Sequence, residues 1–106
     1  MMIPEITVHE LKKRQDGNDD IILIDVREKD EYDTCNLNGM LIPLGELPAR
    51  LPDLDPNAHY VVHCKMGGRS AQAVAHMQSA GFTNVKNLVG GIITWIDEID
   101  SSLRKY

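Results

Sequence analysis

The chain has 106 residues, a length that suits one domain and is too short for two. Hydrophobic residues make up 42% of the sequence and charged residues 25%, as in an ordinary globular protein. The formal charge of −5 at pH 7 argues against a general nucleic-acid binder, which needs a basic face to neutralise phosphates.

Two further classes are disfavoured by local features of the sequence. No apolar run approaches the ~20 residues that cross a bilayer, so we expect no membrane association. The first residues lack a basic segment followed by an apolar block, so no signal peptide is predicted. The two cysteines, Cys35 and Cys64, are too few for a disulfide scaffold. These features predict a cytoplasmic protein whose thiols stay reduced.

The first half of the chain alternates helical stretches with short apolar runs. Thr7 and Glu10 have capping-box spacing at the start of a helix that Gly17 can end. The run IILIDV, residues 21–26, is typical of a strand buried on both faces. Three shorter elements follow: a polar helix over 27–35, a strand over 40–43 and a proline-broken helical region over 44–54.

The second half predicts two more strands, each followed by a helix. The strands cover residues 59–64 and 85–88, and the helices cover 69–81 and 90–100. This alternation predicts an α/β fold with a central parallel sheet of about four to five strands and helices on both faces. We expect one domain over residues 1–106, with a core over about 6–96 and a C-terminal tail over 97–106.

The loop that follows the strand ending at Cys64 is built to stabilise an anion. Gly67 and Gly68 let successive N–H groups point inward, and the next helix directs its positive dipole end at the loop. Lys65 and Arg69 add full positive charges. A thiol is a nucleophile as its thiolate, so Cys64 should be acidic, accessible and reactive. The alternative is a small side chain that merely fills the core at the strand end.

Four other residues lie near strand ends or carry reactive groups. Asp25 and Arg27 follow the first buried strand and would brace the loop; their alternatives are a helix cap and a surface ion pair. Cys35 is either a thiol that resolves a modified Cys64 or a buried small side chain. His63 precedes Cys64, but strand neighbours point to opposite faces, so we expect a hydrogen-bonded strand histidine rather than a Cys–His dyad.

Three segments together resemble the rhodanese superfamily of sulfurtransferases: IILIDVREKDEYDTCNLNGMLIPL, VVHCKMGGRS and NLVGGIITW. They contain an Asp-x-Arg after a buried strand, an Ile-Pro-Leu stretch, a Cys-x4-Arg loop, and a Gly-Gly pair shortly before a tryptophan. The order and spacing agree from about Ile6 to Trp95. The resemblance implies a single rhodanese-like domain.

The resemblance also implies a mechanism and a set of site residues. Cys64 would take a sulfane sulfur from thiosulfate or a protein persulfide, carry it as a persulfide and pass it to an acceptor. Asp25 and Arg27 would support the site, Arg69 would bridge to a scaffold carboxylate, and neither a metal nor a cofactor is implied. The persulfide would be held by six loop residues: Lys65, Met66, Gly67, Gly68, Arg69 and Ser70.

Related activities remain as alternatives within the same superfamily. The loop from Cys64 to Arg69 counts six residues, whereas the related phosphatases use seven, so the resemblance favours sulfur over a phosphatase or arsenate reductase. A non-catalytic interaction module is the other alternative, although such domains usually lack the cysteine. Two stretches, EYDTCNLNGMLIPLGEL and NLVGGIITWIDEIDSSLRKY, look most similar to the C-terminal rhodanese domain of MoeB/ThiF-like adenylyltransferase–sulfurtransferases. That similarity implies a ubiquitin-like sulfur carrier or an adenylyltransferase domain as partner.

Overall fold

Short apolar segments of the chain pair side by side into a parallel sheet. The computed structural model describes residues 3–106. The sheet order is β1-β5-β4-β2-β3, and every neighbouring pair of strands is parallel. The five strands are β1 (Glu5–Ile6), β2 (Ile22–Asp25), β3 (Met40–Leu41), β4 (Tyr60–His63) and β5 (Val85–Leu88).

Helices connect these strands and cover the sheet. They are α1 (Val8–Asp16), α2 (Lys29–Thr34), α3 (Leu47–Arg50), α4 (Gly68–Ser79) and α5 (Gly91–Glu98). Helix α1 begins at the predicted capping box, in which Thr7 and Glu10 each bond the other's backbone N–H. Two 3₁₀ turns flank α3, at Leu44–Glu46 and Leu51–Asp53, in the segment where prolines were expected to break a helix.

Alternation along β4 builds an apolar core on each side of the sheet. Tyr60 and Val62 pack with side chains of α3 and α4, whereas Val61 packs with side chains of α1 and α5. Trp95 is 7% exposed and belongs to the second core. The predicted α/β architecture, a parallel sheet with helices on both faces, is therefore confirmed.

The boundaries differ from the sequence predictions in small, interpretable ways. Strand β1 was not predicted, because two residues are too few to show a periodicity; it forms only by pairing with β5 at Asn87 and Leu88. Helix α4 begins at Gly68 and ends at Ser79, ahead of the predicted stop at Gly81. Strands β2 and β4 are each shorter than predicted by one residue at either end.

Candidate active site

Cys64 comes directly after β4, where the chain leaves the sheet and turns into α4. The loop closes within a few residues because Gly67 adopts a φ of +115°, a conformation that side-chain-bearing residues rarely take. Helix α4 then begins at Gly68, so its N-terminal N–H groups and its positive dipole end face the loop. The end of β4 thus places the Cys64 sulfur at the N-terminus of helix α4.

Hydrogen-bonding groups of Gly67 and Ser70 surround the Cys64 Sγ atom. The Gly67 N–H donates to Sγ at 3.1 Å and the Ser70 N–H at 3.4 Å. The Ser70 hydroxyl lies 3.3 Å from Sγ and can donate to it once the thiol has lost its proton. The loop therefore forms the cradle of inward-facing N–H groups that the glycine pair predicted.

These contacts set the acidity of the thiol. Burial by itself raises the pKa of Cys64, because it disfavours the charged thiolate. Hydrogen bonds from the hydroxyl and N–H of Ser70, and from the N–H groups of Gly67 and Met66, outweigh that effect. The pKa of Cys64 is consequently lowered from its ordinary value, which increases the thiolate fraction near neutral pH.

The expectation of an accessible thiol is wrong for the residue as a whole. Cys64 is only 1% exposed, because it packs with the core side chains beneath the loop, among them Val62 and Val74. The loop above it is open, however: Met66 at its tip is 70% exposed. The sulfur thus lies at the floor of a cradle whose rim faces solvent.

The start of α5 supports the loop from below. The N–H of Ile92 donates to the Cys64 carbonyl at 3.0 Å, and the N–H of Ile93 donates to the Lys65 carbonyl at 3.2 Å. Gly91 allows this approach: its φ is +62°, and a Cβ atom there would lie 2.7 Å from the Cys64 carbonyl oxygen. Gly91, the second glycine of the pair that precedes Trp95, therefore lets α5 approach and hold the base of the cysteine loop.

The arginine that ends the loop is tied to helix α2. Arg69 donates from its two terminal nitrogens to the two carboxylate oxygens of Glu31, at 2.7 and 2.9 Å. The guanidinium lowers the pKa of Glu31 to about 2, and the carboxylate in turn raises the pKa of Arg69. This fork-shaped pair is the bridge to a scaffold carboxylate that the resemblance implied.

Asp25 and Arg27 form a second ion pair, which lies inside the protein. Both side chains are fully buried, and Arg27 donates to the two carboxylate oxygens from Nε at 2.9 and 3.1 Å and from Nη2 at 2.8 Å. Burial alone would lower the pKa of Arg27, but hydrogen bonds to Asp25 and Tyr106 raise it. The surface ion pair considered for Arg27 is therefore wrong. Arg27 also donates to the Cys35 carbonyl at 2.7 Å and so ties β2 to the end of α2.

His63 points away from the cysteine sulfur, as strand alternation predicted. Its Nδ1 lies 3.4 Å from the Cys64 carbonyl oxygen, and its Nε2 lies 3.6 Å from Asp25 Oδ2, beyond hydrogen-bond range. The expected hydrogen-bonded histidine is thus only weakly bonded. Burial lowers the pKa of His63, so the ring is neutral at pH 7.

Cys35 lies in a small apolar cluster apart from the loop. It is 7% exposed and packs with Ile92 and Ile96 of α5. Both cysteines are free thiols. The structure therefore presents Cys35 as a buried small side chain, the second of the two sequence interpretations.

Three residues of the site were missed by the sequence analysis: Glu31, Asn87 and Tyr106. The Ser70 hydroxyl, which touches Sγ, also lies 2.5 Å from Asn87 Oδ1, a second acceptor for its single proton, while Asn87 Nδ2 donates to the Gly67 carbonyl at 3.3 Å. Asn87 therefore connects both ends of the cradle to β5. Of the three, only Glu31 gave a signal in the sequence, as an acid in the first turn of a polar helix. Because an acid at that position is already explained by helix capping, the signal did not point to the site.

Within residues 3–106, no group of three or more His, Cys, Asp or Glu side chains is arranged to hold a metal ion. Nor does the described part of the chain contain a helix that is both long and apolar enough to cross a membrane.

Comparison with known proteins identifies the family. The rhodanese-like domain family matches residues 7–98, which is most of the chain. The chain belongs to the rhodanese-like domain family. The structure agrees with this assignment: a rhodanese-related protein from Thermoplasma volcanium superposes with a TM-score of 0.80 at 31% identity, over 91% of this chain and 93% of that one.

Curated relatives of the rhodanese-like domain differ in length. A sulfurtransferase from Allochromatium vinosum is 32% identical over 89% of both chains. A putative sulfur carrier protein, YrkF of Bacillus subtilis, is 36% identical over 88% of this chain. A probable adenylyltransferase/sulfurtransferase, MoeZ of Mycobacterium tuberculosis, is 37% identical over 95% of it. The chain spans about half the length of YrkF and about a quarter of MoeZ.

Proposed function

We propose that this rhodanese-like domain is a sulfurtransferase that carries a sulfane sulfur as a persulfide on Cys64. The observation that carries the proposal is the set of donors around Sγ, from the N–H groups of Gly67 and Ser70 and from the Ser70 hydroxyl. Such donors stabilise a negative charge on sulfur, whether that charge belongs to a thiolate or to the persulfide formed from it.

The proposed reaction has two half-reactions, as covalent catalysis requires. In the first, the Cys64 thiolate attacks the outer sulfur of thiosulfate; an Sγ–S bond forms, the S–S bond of thiosulfate breaks, and sulfite leaves with the electron pair. The product is the Cys64 persulfide anion, so charge and atoms balance. In the second, an acceptor nucleophile attacks the terminal sulfur and releases the Cys64 thiolate.

The charged residues of the loop have separate proposed roles. Arg69 is paired with Glu31 and closes the cradle, so its charge is largely compensated. The Lys65 side chain attracts the anionic donor, and the backbone N–H groups from Lys65 to Ser70 hold the terminal sulfur. Asp25 and Arg27 act through the scaffold, because their buried pair contacts the ends of β2 and α2 rather than Sγ.

The donor and the acceptor are proposed as classes. The donor is thiosulfate or a protein persulfide, and the acceptor is a thiophilic nucleophile or a ubiquitin-like sulfur carrier. An adenylyltransferase domain is the other proposed partner, since relatives of this chain include adenylyltransferase/sulfurtransferases. We further propose that the protein acts in the cytoplasm, where free thiols persist.

The first experiment asks whether Cys64 accepts sulfur. The purified protein is incubated with thiosulfate, and intact-mass and peptide mass spectrometry follow the addition of one sulfur atom at Cys64. Addition of cyanide should remove that sulfur as thiocyanate. Cys64→Ser should not load, whereas the matched control Cys35→Ser should load like the unchanged protein. If neither thiosulfate nor a protein persulfide loads Cys64, the sulfurtransferase proposal is wrong.

Two alternative functions use the same site and make different predictions. A phosphatase or arsenate reductase would turn over a phosphate ester or arsenate, which the six-residue loop from Cys64 to Arg69 disfavours. A non-catalytic interaction module would function equally well in cells as Cys64→Ser. The donor set around Sγ counts against that alternative, because a module that only binds has no need of a stabilised thiolate.

A further inference from the structure

Tyr106 lies against the cysteine loop, although it is far from Cys64 along the chain. Its hydroxyl accepts a hydrogen bond from Arg27 Nη1 at 2.9 Å and donates one to Glu31 Oε2 at 2.8 Å. The Nζ atom of Lys65 lies 4.4 Å from the centre of its ring, within the range of a cation–π contact. Tyr106 thus touches both ion pairs of the site and the first residue after the nucleophile.

Several contacts of the tail direct Tyr106 to this place. Leu103 packs against two apolar clusters of the core, and Lys105 forms an ion pair with Asp97 of α5. The phenol is then fixed at its far end by Arg27 and Glu31. The ring is therefore held by groups from three separate segments: the β2–α2 connection, helix α2 and the cysteine loop. Its position depends on the tertiary structure rather than on local chain stiffness.

The ring holds Lys65 in a way that preserves its charge. A carboxylate at this place would cancel the ammonium charge, whereas an aromatic face attracts the ammonium through its quadrupole and carries no net charge. Burial and the hydrogen bond to Glu31 raise the pKa of Tyr106 to about 12, although Arg27 acts in the opposite direction. The phenol is therefore neutral at pH 7. Within the described part of the chain, no carboxylate forms an ion pair with Lys65.

The Glu31 carboxylate connects the Lys65–Tyr106 contact to the cradle around Cys64. Glu31 Oε2 accepts hydrogen bonds from the Tyr106 hydroxyl and from Arg69 Nη2. A continuous series of contacts therefore runs along one side of the loop, from Lys65 through Tyr106 and Glu31 to Arg69. An anion that approaches from this side meets an oriented ammonium whose charge is uncompensated.

We propose that Tyr106 is a positioning residue, whose ring holds the Lys65 ammonium at the loop so that the site selects anionic sulfur donors. The inference rests on the proposed sulfurtransferase function for the identity of the donor. The electrostatic effect at Cys64 does not depend on that function, because any anionic reagent that approaches the thiolate experiences it.

The test compares two alkylating reagents of similar size, anionic iodoacetate and neutral iodoacetamide. Peptide mass spectrometry measures the rate constant of each at Cys64, at one pH and low ionic strength. Because Cys64 is buried, both rates are low. The accessibility of Cys64 and its thiolate fraction affect both reagents equally, so the ratio of the two rates does not depend on them. The variants are Tyr106→Ala, Tyr106→Phe, Lys65→Gln and the double variant Tyr106→Ala with Lys65→Gln.

The ratio of the iodoacetate to the iodoacetamide rate should fall roughly two- to fivefold in Tyr106→Ala, the effect of losing one cation–π contact. Tyr106→Phe loses the hydroxyl bonds but keeps the ring, which the tail contacts of Leu103 and Lys105 still direct to Lys65, so it should keep the ratio. In the Lys65→Gln background, Tyr106→Ala should lower the ratio no further, because the two residues then act as one unit. A purely structural role would slow both reagents alike and leave the ratio unchanged.

Three results would overturn the proposal: an unchanged ratio in Tyr106→Ala, an equal loss in Tyr106→Phe, or an equal further loss in the Lys65→Gln background. With thiosulfate as substrate, the same Tyr106→Ala change should raise KM by a similar factor and leave kcat nearly unchanged. If the unchanged protein accepts no sulfur, the proposed function fails while the alkylation ratios still decide the role of Tyr106.

Discussion

Glu31 binds Arg69 through two parallel hydrogen bonds of 2.7 and 2.9 Å, although the two residues are 38 positions apart in the chain. Glu31 belongs to α2, whereas Arg69 lies in the first turn of α4. The same Glu31 carboxylate also accepts the N–H of Glu28, at the start of α2. One carboxylate therefore caps a helix and holds the closing residue of the cysteine loop.

This pair should contribute to stability in a pH-dependent manner. Because the folded protein lowers the pKa of Glu31 from 4.5 to about 2, its contribution is fully present above pH 4.5 and is lost as the pH falls towards 2. The Arg69 side chain is 36% exposed, so solvent screening reduces the effect; we expect Glu31→Gln to cost about 1 to 2 kcal/mol at pH 7. Urea denaturation from pH 7 to pH 3 measures it.

The control for this prediction is Asp30→Asn, which removes one negative charge from the same helical turn without touching Arg69. It should change the free energy of unfolding by less than about 0.5 kcal/mol. The interpretation is contradicted if the difference between Glu31→Gln and the unchanged protein is the same at pH 7 and at pH 3.

Ser70→Ala should make the Cys64 thiol less acidic. The substitution removes the hydroxyl that lies 3.3 Å from Sγ, one of the groups that lower the pKa of Cys64. The midpoint of the pH–alkylation profile should move upward, and sulfur loading at pH 7 should fall roughly tenfold, since a hydrogen bond to a charged group contributes about 1.5 kcal/mol or more. Quenched time courses over a pH series measure both the midpoint of the alkylation profile and the rate of sulfur loading.

The matched control is Ser79→Ala at the far, exposed end of the same helix. It should leave the pH profile of Cys64 in place. A profile for Ser70→Ala that superposes on that of the unchanged protein would show that the hydroxyl does not act on the sulfur.

The two adjacent glycines of the loop should respond differently to alanine. Gly67 has a φ of +115°, so Gly67→Ala strains the backbone, displaces an N–H that binds Sγ, and should cost about 2 kcal/mol of stability. A Cβ atom at Gly68 would meet nothing within 4 Å, so Gly68→Ala should be neutral or stabilising by roughly 0.5 kcal/mol. Thermal unfolding compares the two variants, and sulfur loading should be impaired in Gly67→Ala alone. Equal effects on stability would contradict this view of the loop.

Breaking the buried ion pair should destabilise the fold more than any surface change. Arg27→Met leaves the fully buried carboxylate of Asp25 without its guanidinium partner, and we expect a loss of roughly 3 to 5 kcal/mol. Arg50→Met is the control, since it removes an arginine from an exposed pair whose atoms lie 3.8 Å apart; a change below about 0.5 kcal/mol is expected. Denaturant unfolding at pH 7 measures both, and similar losses in the two variants would refute the structural role of Arg27.

Much of the fold could be predicted from the sequence because its signals are local. Three such signals each involve only residues within a few positions of one another: the Thr7 and Glu10 capping box, the apolar run at residues 21–26 and the strand at 85–88. Strand β1 gave no such signal, since its two residues become a strand only by pairing with β5. Its existence depends on a sheet order that no short segment encodes.

The candidate site divides in the same way. By itself, the sequence determined the junction of strand, cysteine and glycine loop, because Cys64, Gly67 and Ser70 are close in the chain and their N–H groups converge through local backbone geometry. Only the tertiary structure decided that Cys64 is buried, that Arg27 pairs inside the protein, and that Glu31 and Tyr106 reach the loop. Ion pairs and aromatic contacts of this kind join distant residues, and their partners are chosen by how the sheet and helices pack rather than by spacing along the chain.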